Sequence, residues 1–352
     1  MSLAISFNYN RLKTIRQKMK AITLRQFGTT DNFFFTETDT PAISDNDVLV
    51  KIYSTAFNPI DYQMRIGANE SKRMHSHILG REFSGIVAKK GKLVKDLEIG
   101  DSVYCASGSM GSNGTYAEYI SVPQQILAKM PANISFDQAA ALPISALTAM
   151  QCCNRLKISP EESVFISGGA GGVGLVLIKI LLSQGVRKIV TTAGNPGSRQ
   201  ELINAGLRND QIIDYKASNA VPLIIQANSN QLFDYCIDLV GRQMSERCSN
   251  ILRLNGTYVD VTNLTTDEAH ENLFNIGAVV VHISNYAYSL KGNFAYYGDL
   301  LRRITGLVEK GVISPSPVQV IGDFELSTVR KAHALMESNQ TQGHKLIMRI
   351  SE

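Results

Sequence analysis

Six consecutive residues, Gly169-Ala170-Gly171-Gly172-Val173-Gly174, carry the spacing glycine-x-glycine-x-x-glycine. They follow the apolar run Val164-Phe165-Ile166 and open a second one, Val173 to Gln184. A strand that feeds a helix through such a turn is a cradle for phosphate. One glycine turns the chain, one leaves room for a pyrophosphate, and one lets helix and strand pack closely. The helix start adds unpaired N–H groups and a partial positive charge. The chemistry implied is that of a dinucleotide cofactor.

The next residues choose between dinucleotides. An NAD site places Asp or Glu about 20 residues past the glycines, on the ribose hydroxyls. Here the second strand ends at Thr192-Ala193-Gly194, and no acid occurs from Ser163 to Gln200. Arg199 stands just beyond, and a guanidinium pairs bidentately with a 2′-phosphate. The pattern predicts NADP(H), with Thr192, Gly194 and Arg199 at its adenosine end. The competing reading of Arg199 is a solvated helix residue.

Two textures must position these residues. From Val48 to about Tyr119, short β-type runs alternate with Gly, Pro, Asp and Asn, which predicts a compact barrel-like sheet. Asp137 to Leu156 reads as helix. After Pro160, strands alternate with helices. The strands are Val164–Ser167, Lys188–Thr192, Gln211–Tyr215, Phe233–Asp238 and Gly256–Val261, and the helices include Ser198–Ala205. That alternation predicts βαβ units and a parallel sheet. A helix over Gly298–Lys310, a loop over Val312–Gly322, a helix over Ser327–Ser338 and a strand over Leu346–Ile350 complete the chain.

Bulk properties exclude several classes. The chain has 352 residues, 44% hydrophobic and 19% charged, which is enough apolar material for a sizeable core. The longest apolar run is too short for a membrane span, which needs about 20 residues. The formal net charge of +4 is concentrated in a tail: Arg11, Lys13, Arg16, Lys18 and Lys20 lie in an acid-free start. The rest holds 30 basic against 31 acidic side chains, so no basic face for nucleic acid is expected. Residues 1–18 read as an extension, with an upstream remnant, a flexible arm and a targeting segment as the alternatives. Five cysteines form no CxxC, which points to reduced thiols and a cytoplasmic location.

Further motifs recur in order along the chain. They are Asn58-Pro59-Ile60-Asp61, Arg65-x-Gly67, Leu79-Gly80-Arg81-Glu82-Phe83-Ser84-Gly85, Gly100-Asp101-Ser102-Val103, Gly114-Thr115-Tyr116-Ala117-Glu118-Tyr119, Leu142-Pro143 and Leu147-Thr148-Ala149. With the glycine motif, they make the chain resemble the zinc-free quinone oxidoreductases, the ζ-crystallin-like branch of the medium-chain dehydrogenase/reductase superfamily. The resemblance implies an α/β protein with two parts. A GroES-like β-barrel catalytic domain would run over 19–143 and return over 286–352. A Rossmann NADP-binding domain with a doubly wound parallel sheet would occupy 144–285. It also implies that Thr148 lies beside the nicotinamide, Tyr215 beside the 2′-phosphate, and Lys345 near the cofactor, although His344 interrupts the family's Gly-Lys pair. Glu82 is expected to pair with Arg81 or Arg65.

Metal-using relatives place zinc ligands where this chain has Asn58, Arg81 and Leu142, so the resemblance implies no metal. His75-x-His77 reads as an exposed loop. Without a metal to stabilise an alkoxide, the acceptor should delocalise the charge that hydride transfer creates. Quinones, enones and enals do so. Asn58 and Tyr62, on the loop that carries ligands in relatives, are the candidates for orienting the acceptor, and the proton could come from Tyr62 or from water. An enoyl-thioester reductase and a non-catalytic NADPH-binding protein stand as alternatives. Finally, the β-branched run Gly277–Ser284 follows the last Rossmann strand. It predicts an edge strand near Val279–Ile283 that joins two copies in a homodimer.

Overall fold

The computed structural model of the chain describes residues 17–351, so most of the basic tail lies outside the described residues. The alternation after Pro160 builds a six-stranded sheet. Its order is Ile212–Asp214, Ile189–Ala193, Val164–Ile166, Phe233–Asp238, Leu252–Asp260, Val279–His282. All five pairings are parallel. The order reverses between Val164–Ile166 and Phe233–Asp238, which makes the sheet doubly wound. Ligands bind such sheets outside the strand ends at that reversal, and the glycine motif follows Val164–Ile166 directly.

The β-rich texture earlier in the chain becomes a mixed sheet of seven strands. Asp47–Ala56 lies at its centre, with Phe83–Lys90 and Tyr119–Pro123 pairing antiparallel to it. The last strand, Lys345–Arg349, also pairs antiparallel with Asp47–Ala56, setting Ile347 opposite Ala56. The C-terminus therefore returns to the first unit after the parallel sheet is complete. Lys18–Leu24 and Phe33–Asp39 form a separate antiparallel pair.

The structure corrects several sequence expectations. Val318–Asp323, most of which falls in the expected loop Val312–Gly322, is a strand parallel to Lys345–Arg349. The helix Leu326–Glu337 makes the crossover between them, so pairing supplied by the last strand outweighs the local sequence signal. The helix expected from Gly298 begins at Ala295, and that expected at Ser198 begins at Pro196, where Asn195 caps it by accepting from the Ser198 N–H. The last parallel strand is confined to Val279–His282.

One continuous apolar core spans both units. Val50, Val103 and Ile120 on the mixed sheet join Leu147 and Met150 on the helix Pro143–Leu156, then Leu175 and Ile178 on the helix Gly172–Ser183. The helix Ala295–Glu309 buries Leu301 and Ile304 in the same core. Its Gly298 lies against chain: a Cβ there would sit 2.1 Å from the Gln125 carbonyl oxygen. Gly298→Ala therefore gains helix propensity but must displace backbone. It is expected to destabilise the protein by about 1–3 kcal/mol, read as a lower urea midpoint. An unchanged or raised midpoint would show that the contact relaxes freely.

Candidate active site

The glycine loop is shaped by its neighbours. A Cβ on Gly169 would meet Thr191 Oγ1 at 2.1 Å, and one on Gly174 would meet the Gly169 backbone at 2.5 Å. Those two glycines let strand and helix touch. Gly171 differs, because a Cβ there meets only the Gly168 oxygen, at 3.3 Å. Its outer face opens on a cleft of about 1010 Å³ between the two units. The floor therefore leaves free the space a pyrophosphate needs, above a helix start with unpaired N–H groups. Gly172 and Val173 line the same floor, while Ala170 approaches the C-terminal loop, its oxygen 3.3 Å from a Cβ placed on Gly343.

At the end expected to receive the adenosine, Thr192 Oγ1 accepts from the Gly168 N–H at 3.2 Å. Gly194 lies under the Tyr215 ring, 2.4 Å from a built Cβ. Arg199 is turned onto Asn209, donating to its Oδ1 at 2.8 Å. The sequence reading passed over Lys216, whose Nζ donates to the Gly194 carbonyl at 2.8 Å. The available signal was its place directly after Tyr215 at the end of a strand. Asp238 and Asp260 were also missed. Each ends a strand, is buried, and accepts two backbone N–H groups of the turn that follows. They fix the loops that line the cleft.

The opposite wall holds a buried polar group. Glu82 is fully buried. Its Oε1 accepts from Asn58 Nδ2 at 2.8 Å and from Lys345 Nζ at 2.5 Å, and its Oε2 accepts from the Ile144 N–H at 2.8 Å. Lys345 also donates to Asn58 Oδ1. The expected partners Arg81 and Arg65 are not used. Consecutive extended residues send side chains to opposite sides, so Arg81 faces away from Glu82, toward Ser109 and Met64. Arg65 pairs with Glu337. The strand Lys345–Arg349 delivers the cation that Glu82 requires, and it comes from the far end of the chain.

Asn58 thus keeps one N–H of its amide uncommitted, and it lines the cleft. Tyr62, also lining it, is half-buried and its hydroxyl has no hydrogen bond among the described residues. Thr148 Oγ1 donates to Ile144 O at 2.8 Å and accepts from Asn285 Nδ2 at 2.7 Å. Thr148 is therefore bonded to its own helix backbone and still borders the cleft. His75 and His77 are both exposed on a loop, as expected; His77 Nδ1 also lies 3.0 Å from Leu24 O, and burial lowers the His75 pKa.

Comparison with known proteins places this geometry. A family model for the alcohol dehydrogenase GroES-like domain matches residues 44–132, and one for zinc-binding dehydrogenase matches 207–347. The NADPH-dependent alkenal/one oxidoreductase, chloroplastic, of Arabidopsis thaliana is 29% identical over 99% of this chain and 84% of that protein. Quinone oxidoreductase 1 of Escherichia coli (strain K12) is 29% identical over 87% of this chain and 92% of its own. The solved quinone oxidoreductase from Coxiella burnetii superposes with a TM-score of 0.80 at 27% identity, over 95% of this chain and all of that one. The second model's description raises zinc, and the residues present do not fit it. An amide already bonded to Glu82 and Lys345 and a guanidinium offer none of the thiolate, imidazole or carboxylate donors zinc takes. Among the described residues no group of three or more His, Cys, Asp or Glu could hold a metal.

Asp61 supplies the test of this wall. Its Oδ2 accepts the Asn58 N–H at 2.8 Å, while its buried Oδ1 has no partner among the described residues. Burial raises its pKa from 3.8 to about 7, against the Asn58 hydrogen bond and the charges of Arg81 and Lys345. An acid with a raised folded pKa takes up a proton on folding. Its contribution is complete below the unfolded value and lost as pH rises through about 7. Asp61→Asn keeps an acceptor for Asn58 and removes that slope. Its stability relative to the parent is expected to rise between about pH 5 and pH 8, measured by urea unfolding. Parallel stability curves would mean that Asp61 is ionised throughout.

Proposed function

Because the chain belongs to the zinc-free quinone oxidoreductase-like branch of the medium-chain dehydrogenase/reductase superfamily, we propose that its cleft carries out NADPH-dependent, metal-independent reduction of quinones and other α,β-unsaturated carbonyl compounds. The observation that carries this reading is the facing of the glycine floor by a wall with hydrogen-bond donors and no metal ligand set. NADPH held there would supply a hydride, two electrons with one proton, and be oxidised to NADP⁺. The chain's own residues do the rest. Gly171 and the start of the helix Gly172–Ser183 receive the pyrophosphate. Thr148, Asn285 and Lys345 border the middle of the cleft. Asn58 offers its remaining N–H to the acceptor, and Tyr62 contributes its ring and hydroxyl. One proton from water or Tyr62 completes the reduced product.

The test is NADPH oxidation with a panel of small quinones, enals, enones and enoyl thioesters. Turnover of quinones or enones that persists in chelator is expected. Turnover restricted to enoyl thioesters would favour the enoyl-thioester reductase reading, and none at all the non-catalytic one.

Cofactor choice is assigned to Arg199 and Lys216, beside Tyr215. NADPH is expected to bind at least tenfold more tightly than NADH, about 1.4 kcal/mol. Lys216→Ala should remove most of that difference. Arg199→Ala should remove less, since Asn209 holds that guanidinium. Superimposable titrations of the two cofactors on the parent protein would refute the assignment.

We also propose a homodimer through the last parallel strand. Val279 and Val280 are 54% and 40% exposed, and Leu254 and Phe274, on segments leading into the same edge, are 67% and 85% exposed. Val280→Lys is expected to give monomers by light scattering. A parent protein that is monomeric at micromolar concentration would overturn this. All five cysteines are unpaired, which supports a reducing compartment, and the cytoplasm is the proposed one. No described helix is long and apolar enough to cross a membrane.

A further inference from the structure

Arg81 is a buried cation left over by the wall that surrounds it. It is 6% exposed, and no carboxylate lies within ion-pairing distance of it among the described residues. Glu82, its neighbour in sequence, is committed to Lys345. The guanidinium is held by weak contacts, to Met64 Sδ at 3.6 Å and Ser109 Oγ at 3.3 Å. Removing such a charge from water costs several kcal/mol unless something compensates it. Here the head group borders the cleft.

Tyr286 lies beside it. Its ring centroid is 5.4 Å from the Arg81 guanidinium carbon and 3.8 Å from that of Arg73. Its hydroxyl is buried and has no hydrogen-bond partner among the described residues, although Tyr286 lines the same cleft. A buried hydroxyl without a partner forfeits about 1–3 kcal/mol. A donor without an acceptor and a cation with no paired carboxylate, on which Asp61 acts only from a longer distance, therefore stand together. Both deficits are met by one ligand atom: an oxygen that accepts a hydrogen bond and carries negative charge.

Resting on the reductase reading, we propose that Arg81 and Tyr286 form the oxyanion site of the reaction, holding the acceptor's carbonyl oxygen as it becomes an enolate or phenolate. When hydride adds to the conjugated carbon, a C–H bond forms there, the π electrons shift, and the electron pair comes to rest on that oxygen. Arg81 compensates the charge, Tyr286 donates a hydrogen bond to it, and a proton from water or Tyr62 then neutralises it. Fixed donors of this kind act where water is excluded and need no reorganisation as the charge develops. The site selects acceptors whose oxygen is conjugated to the carbon attacked. Burial raises the Tyr286 pKa while Arg81 and Arg73 oppose the rise, so it serves as a donor that keeps its proton.

The test pairs turnover with a readout that needs none. In the complex with NADP⁺, 4-nitrophenol is titrated, and its ionisation on the protein is followed by absorbance. The parent is expected to hold it as the phenolate, with its pKa lowered by at least one unit. Arg81→Gln and Tyr286→Phe should each abolish or halve that shift and Arg81→Lys should retain part of it. Turnover with a quinone or enone should fall about 100-fold in Arg81→Gln and about tenfold in Tyr286→Phe, with NADPH affinity unchanged. Should Arg81→Gln not fold, Tyr286→Phe decides alone. Nitrophenol that fails to bind the parent at millimolar concentration, or binds with an unshifted pKa, would overturn the proposal. So would folded variants that match the parent in both readouts. A parent that shifts nitrophenol but reduces no acceptor would refute the reductase reading and leave the anion site standing.

Discussion

The carboxylate of Glu82 sits where no water reaches it, and it must be neutralised by the protein. Three donors do this: the Asn58 amide, the Lys345 ammonium and the Ile144 N–H. They come from a loop in the first unit, the returning C-terminal strand, and the start of the helix that leads into the parallel sheet. One buried charge thereby fixes three segments distant in sequence. Losing Lys345 would leave the Glu82 charge without its counter-charge, which is far more costly than the pair's net worth.

That arrangement decides the character of the cleft. Lys345 satisfies Glu82, and Arg81, on the other side of the chain, lies against Ser109, Met64 and the Tyr286 ring. Because Asn58 is held on both sides, only one of its N–H groups remains for a ligand. The acid chemistry of the site is muted in the same way: Asp61 is buried deeply enough that burial outweighs its cationic neighbours. The wall presents donors and positive potential without a metal ligand set, which suits an acceptor that gathers negative charge on oxygen.

The glycine floor meets a different constraint. Gly169 and Gly174 are required by contacts within the protein, whereas Gly171 has space around it that only a ligand would fill. Two glycines of the motif thus serve packing, and one leaves its outer face open to the cleft. The strand-end aspartates Asp238 and Asp260 stiffen the loops on either side, so the cleft is bounded by turns whose backbone N–H groups are already paired.

The sequence by itself determined the parallel sheet, the glycine cradle and the lack of zinc ligands. These are written in local periodicity, in a fixed spacing of glycines and in residue types at single positions. It also marked Asn58 and Tyr62, through a motif shared with relatives, and the structure brings both to the cleft. Only the tertiary structure decided which charges meet. Glu82 was expected to find Arg81 or Arg65, the cations near it in sequence, and instead it finds Lys345. The strand Val318–Asp323 was hidden for a related reason: its pairing partner, Lys345–Arg349, follows a whole helix later. Ion pairs and ladder hydrogen bonds depend on distances in space, and the return of the C-terminus to Asp47–Ala56 makes neighbours of residues that no local pattern connects.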